Sequence, residues 1–156
     1  MNGSAIISAD GKYRYTLLRD WAIGPRVLWI MLNPSTADAN VNDRTIERCI
    51  AFSQREGFGS MEVGNLYAYR ATDPRELRGL GALEACGPDN DKHLWHMSLR
   101  AQKIICAWGA NASPRQLALQ IIGKAPAGLW CLGKTKSGSP RHPLYLSKHT
   151  PLVPFP

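Results

Sequence analysis

Short apolar runs alternate along the chain with polar segments whose spacing is helical. Asp10-Gly11 lies between Ser4–Ser8 and Lys12–Trp21 and is a strong hairpin-turn signal. In the second arm Tyr13, Tyr15 and Leu17 alternate with Lys12, Arg14 and Thr16, so the polar set is expected on the outer face of a half-exposed strand. Gly24-Pro25 breaks the chain, and the unbroken apolar run Val27 to Met31 then stops at Asn33-Pro34-Ser35-Thr36. Such a run, closed by small polar residues, predicts a buried strand that carries a polar loop to the carboxyl edge of a sheet.

Further on, Asn42 or Asp43 is placed to cap a helix of about 13 residues with Ile46, Cys49, Ile50 and Ser53 inward, ended by Gly57. Met61 to Leu66 reads as a second strand running into Asn65-Leu66-Tyr67-Ala68-Tyr69-Arg70, and Asp73-Pro74 opens a helical turn. The Gly79–Gly87 stretch reads as loose. Asp89 or Asn90 caps a helix over Lys92–Ala101, Lys103 to Trp108 forms a third strand, and Gly109-Ala110-Asn111-Ala112 follows. Ser113-Pro114 is a cap and first-turn proline for a helix to about Ile122. A fourth strand, Gly128 to Leu132, leads into Gly133 to Pro143, and the proline-rich tail from Thr150 to Pro156 is expected to lie extended over the surface. This alternation predicts a three-layer α/β/α fold with a central, mainly four-stranded parallel sheet, preceded by an antiparallel hairpin. One domain spanning residues 1–156 fits the length.

Composition narrows the function classes. No apolar run approaches the roughly 18 residues of a membrane helix, and Asn2, Ser4 and Asp10 do not form a signal segment, so a cytoplasmic protein with no membrane partner is expected. Cys49, Cys86, Cys106 and Cys131 are far apart with no CxxC pair; buried reduced thiols are expected, with no zinc or iron–sulfur site. The net charge is +7, and Lys124, Lys134, Lys136, Arg141 and Lys148 crowd the last third. That field suits a polyanion and equally a solvated basic surface. Neither metal nor cofactor is expected, and a monomer is the default.

In a parallel sheet the loops that follow successive strands meet at one edge. Here they offer Asn33, Pro34, Ser35 and Thr36; then Asn65, Tyr67 and Arg70; then Trp108 and Gly109; and finally Lys134, Lys136, Ser137, Ser139, Arg141 and His142. Amides, aromatic faces and cations with few carboxylates suit a planar polar ligand attached to phosphate. Each residue alone also fits a plainer role: Asn33 a loop cap, Trp108 a core residue, the Lys134–Arg141 stretch a solvated connection. His93, His96 and His149 fit structural or solvated positions.

Met31-Leu32-Asn33-Pro34-Ser35, Gly64-Asn65-Leu66, Ala107-Trp108-Gly109-Ala110 and Ser139-Pro140-Arg141-His142-Pro143-Leu144 occur in the order of the strand-end motifs of the uracil-DNA glycosylase superfamily. The chain resembles that superfamily between Val27 and Leu146. It is also similar to a bacterial and phage family of unknown function with Leu-Asn-Pro-Ser, Asn-Leu-Tyr-Ala-Tyr-Arg and His-Pro-Leu-Tyr-Leu signatures. The resemblance implies a DNA base N-glycosylase, without metal or cofactor, acting on uracil or a modified pyrimidine in single-stranded or damaged DNA. Asn33 would position the attacking water, Asn65 would hold the flipped base, and His142 would stabilise charge on the leaving base. Ser35, Ser137, Ser139 and the nearby lysines would hold phosphates. Ser35 departs from a common Gly, and Leu144-Tyr145 replaces a Ser-Pro wedge, which makes Tyr145 or Leu146 the candidate wedge. Neither Asp38 nor Asp43 falls at the superfamily's catalytic carboxylate position. The alternatives are a catalytically silent nucleic-acid or nucleotide-binding module and an enzyme acting on free nucleotides.

Overall fold

The computed structural model describes residues 1–111 and 113–155, so Ala112 of the loop after the third expected strand, and Pro156 of the tail, lie outside the described residues. The strands are β1 (Asn2–Ile7), β2 (Arg14–Asp20), β3 (Arg26–Met31), β4 (Ser60–Asn65), β5 (Lys103–Cys106), β6 (Leu129–Cys131) and β7 (Val153–Pro154). The helices are α1 (Arg44–Arg55), α2 (Ala82–Cys86), α3 (Asn90–Arg100) and α4 (Gln116–Gly123), with a 3-10 turn at Pro74–Gly79. The strands form one mixed seven-stranded sheet in the order β1-β2-β4-β3-β5-β6-β7. Its middle pairings, β3 with β4, β3 with β5 and β5 with β6, are parallel. The outer pairings are antiparallel: β1 with β2, β2 with β4, and β6 with β7.

The expected sheet is therefore enlarged on both sides. The N-terminal hairpin is an antiparallel entry to the sheet, since β2 pairs with β4. The tail does more than lie on the surface: Val153 and Pro154 pair with Cys131 and Trp130. Both additions cover strand edges that would otherwise present unpaired backbone groups. The stretch read as loose contains α2, and the third and fourth strands stop short of the expected bounds. At α4, Ser113 is not the cap: the helix starts after Arg115, whose Nε donates to the Leu66 carbonyl (2.6 Å) and whose Nη2 pairs with Asp91 (2.5 Å). That tertiary anchor sets the helix start.

Strand β3 shows why both faces are covered. Its side chains alternate with a period of two. Val27, Trp29 and Met31 join Ile46, Cys49, Ile50 and Phe52 of α1 in one core cluster. Leu28 and Ile30 join Leu94 and Met97 of α3 and Ala118 and Ile122 of α4 in the other. Asp43 caps α1 through a hydrogen bond from the Ile46 amide (2.9 Å), while Asn42 accepts from Arg19 Nε (2.8 Å) instead. At Gly64 a Cβ would stand 2.7 Å from Met97 Cε and 2.9 Å from Leu94 Cδ2, so α3 packs closely on β4 and a larger residue there would make those side-chain ends move. All four cysteines are free and buried.

The expected exposure of Arg14 and Thr16 is overturned: they are 2% and 7% exposed. The pairing of β1 with β2 shifts between Ile6, opposite Thr16, and Ile7, opposite Arg14, leaving Tyr15 as the extra residue of a bulge. A bulge resets the alternation of side chains. Arg14 thereby joins Arg19 on the side of the loop after β3, the two donating to the Ala37 and Asp38 carbonyls at 2.9 and 2.5 Å.

Candidate functional site

The chain goes from β3 to β4 on one side and later to β5 on the other, so the loops diverge at the carboxyl end of β3. Sheets of this kind place ligands at such a switch point. A cavity of about 330 Å³ lies there, within the size range of small-molecule sites. Asn33, Ser35, Asn65, Trp108 and His142, which belong to segments far apart in sequence, all line it.

Backbone and side-chain bonds hold these loops together. The Leu66 and Tyr67 amides donate to the Met31 and Leu32 carbonyls (2.9 and 3.0 Å), and the Ala71 amide donates to Pro34 (2.9 Å). Asn33 Nδ2 donates to the carbonyls of Pro34 (3.1 Å) and Ala71 (2.8 Å), which commits its donor and leaves Oδ1 as the acceptor. Asn90 Nδ2 clamps the end of β4 through the Asn65 and Leu66 carbonyls at 2.9 and 3.4 Å.

Asn65 differs from Asn33. It is 1% exposed and lines the cavity, yet among the described residues neither its Nδ2 nor its Oδ1 has a hydrogen-bond partner. The Trp108 indole N–H, on a side chain 2% exposed, is also unpartnered. Leaving such groups unpaired costs roughly 1–3 kcal/mol each. Buried polar groups of this kind are what a site uses to pair with a polar ligand.

His142 is brought in by the segment after β6. The Gly109 amide donates to the Pro140 carbonyl (2.9 Å), and Gly109 has φ 74° with its Cβ position 3.5 Å from His142 Cβ. A side chain at 109 would be strained in that conformation. The Leu144 amide donates to His142 Nδ1 (3.1 Å), so the neutral ring carries its proton on Nε2. Burial holds the imidazole below its ordinary value of 6.5, with Asp43 pulling the other way. The ring is thus a neutral donor at pH 7.

Other expected site residues stand outside the lining. Pro34 supplies a carbonyl to the loop bracing, and Thr36 is exposed. Tyr67 lies 5.8 Å beneath the Arg115 guanidinium, and Arg70 reaches back to the carbonyls of Ser35 (3.4 Å) and Gly11 (3.5 Å). Gly109 braces His142, as described. Lys134, Lys136, Ser137, Ser139 and Arg141 belong to a small hairpin closed by the Lys134 and Pro140 bridge and by the Thr135 amide on the Ser139 carbonyl (2.8 Å). None of these side chains lines the cavity, because the hairpin pairs with itself. Tyr145 is 85% exposed with φ 72°, a left-handed conformation uncommon outside glycine. It borders a separate hollow with Arg44, Glu47 and Arg48.

Arg14, Asp43 and Arg44 line the cavity and were not picked out as site residues by motif. Burial lowers the Arg14 guanidinium to about 10, against the opposing pull of Asp43. Asp43 was legible only as a cap, which it is, and it is the one carboxylate among the described lining residues. Its substitution by alanine is expected to cost about 1 kcal/mol in urea denaturation, and by asparagine much less, since asparagine also caps. Among the described residues no group of three or more His, Cys, Asp and Glu is placed to hold a metal ion, and no helix is long and apolar enough to cross a membrane.

A family model of proteins of unknown function, DUF1643, matches residues 14–144. The chain belongs to the DUF1643 family. The matched segment runs from Arg14 to Leu144 and so takes in every residue named above as lining the cavity. The DUF1643 description carries no activity and makes no link to the glycosylases. No curated protein and no solved structure matches the chain.

Proposed function

We propose that this DUF1643 protein is a DNA base N-glycosylase-like hydrolase that takes a uracil or modified pyrimidine into the cavity. The observation that carries the reading is Asn65: a buried amide with both its donor and its acceptor unpaired is complementary to the N–H and carbonyl of a pyrimidine imide edge. His142 Nε2–H supports it as a neutral donor for the other carbonyl, where negative charge grows as the glycosidic bond breaks. In that step water oxygen bonds to C1′, the C1′–N1 electron pair leaves with the base, and a water proton is lost. Asn33 Oδ1 would orient the water, and Asp43, the carboxylate in the same lining, would accept the proton. Tyr145 is a better candidate than Leu146 for a residue that enters the base stack, since Leu146 packs on the core and its carbonyl accepts from Arg48.

The test is a panel of single- and double-stranded oligonucleotides carrying uracil or modified pyrimidines, with mass detection of released base. Alkali-labile sites and free base are expected. An intact panel with salt-dependent binding of single-stranded DNA would instead establish a binding module, and release from free nucleotides alone would establish a nucleotide enzyme.

A further inference from the structure

Arg14 has no part in the proposed base release, yet it stands in the same cavity. Its guanidinium is 2% exposed and lines the cavity, yet no carboxylate stands within salt-bridge distance of it among the described residues. Nη1 is engaged by the Ala37 carbonyl at 2.9 Å, whereas Nε has no partner. A buried cation without an ion pair is costly, and it attracts an anionic or strongly accepting group. Asp43, the carboxylate in the lining, already accepts from the Ile46 amide.

Across the edge the groups follow as Arg14 on β2, Asn65 on β4, Asn33 after β3 and Trp108 after β5, with His142 against Gly109 at the β5 end. Neighbouring strands are about 4.8 Å apart, so Arg14 and the His142 side are separated by about 14 Å of sheet, with Asn65 between them. A pyrimidine giving one carbonyl to His142 and its imide N–H and second carbonyl to Asn65 therefore turns its carbon-5 edge towards Arg14. The cavity exceeds the room of a single bare ring.

We propose that Arg14 determines specificity by selecting a pyrimidine with an acidic substituent at carbon 5, held by the buried guanidinium beside the Asn65 pair. This rests on the base-binding reading of the cavity, though not on catalysis. Charge-assisted hydrogen bonds of this kind change affinity on the order of tenfold or more.

The experiment is calorimetric titration of the intact protein with free uracil, thymine, 5-carboxyuracil and dUMP. At least about tenfold tighter binding of 5-carboxyuracil than of uracil or thymine is expected, abolished in Arg14→Gln with uracil affinity retained, and partly kept in Arg14→Lys. Equal affinities in the wild type overturn the proposal whether or not the variants fold, as does a preference that survives in a folded Arg14→Gln. An Arg14-dependent preference for dUMP over uracil, with none for the carboxyl group, overturns it in favour of a phosphate site. Failure to release base from DNA while this preference holds would sink the glycosylase reading alone, and uracil release without the preference would sink only this one.

Discussion

Replacing His142 with alanine is expected to lower base release from a reactive oligonucleotide by about a hundredfold or more, the usual effect of removing one well-aimed donor to a developing anion. The Leu144 amide occupies Nδ1, so the neutral imidazole has only Nε2–H to offer. Gly109 in its left-handed conformation leaves space for the ring. His142→Gln, which keeps a donor, should recover part of the loss. Single-turnover kinetics under saturating enzyme would isolate the step, and a loss confined to KM would contradict this role.

The same ring predicts the pH response. Burial disfavours its charged form, so its folded pKa lies below the unfolded 6.5. His93 is shifted in the same direction, by burial first and then by Lys92. Between the folded and unfolded values the unfolded chain binds more protons, so stability rises with pH through that window and is fully present above 6.5. Denaturation midpoints measured from pH 5 to 8 should climb and then level, and His142→Ala should flatten part of the climb. Base release should fall on the acid side, as protonation ejects the Leu144 amide from Nδ1.

The second large effect concerns stability. Trp29→Ala is expected to cost about 3–5 kcal/mol in urea denaturation, the range for deleting a buried aromatic. Trp29 is fully buried at the centre of β3, packs on Phe52 of α1 with ring centroids 6.3 Å apart, and donates from its indole N–H to Ser53 Oγ (2.9 Å). The substitution opens a cavity and removes a donor that no neighbour replaces. Such a loss is a large share of the roughly 5–15 kcal/mol that holds a domain folded. Trp29→Phe should cost less, because most of the volume remains and Ser53 Oγ still donates to the Cys49 carbonyl (2.7 Å). A Trp29→Ala protein as stable as the wild type would show that the α1 face of the sheet repacks freely.

Much of the architecture was legible because its determinants are local. The unbroken apolar run Val27–Met31 announces a strand buried on two faces, and Asp43 with Ile46, Cys49 and Ile50 announces a capped helix lying on one of them. Four of the strand-end residues that line the cavity, Asn33, Asn65, Trp108 and His142, follow from knowing that parallel strands deliver their loops to one edge. Arg14 was misread because a bulge is invisible to an alternation rule that assumes every residue advances the pleat by one. The pairing of Lys134 with Pro140, which makes a hairpin of the basic segment, is not legible in its composition.

The sequence by itself determined the central strands, the helix capped by Asp43 and the polar residues that stand at the strand ends, since periodicity and capping act over a few neighbouring residues. Only the tertiary structure decided that Val153-Pro154 extends the sheet, that Arg14 is buried in the cavity, and that the Asn65 amide stays unpaired while the Asn33 amide is spent on the carbonyls of Pro34 and Ala71. Those outcomes depend on pairings between residues far apart in the chain, where a single shift in register changes which polar atom is satisfied and which is left for a ligand.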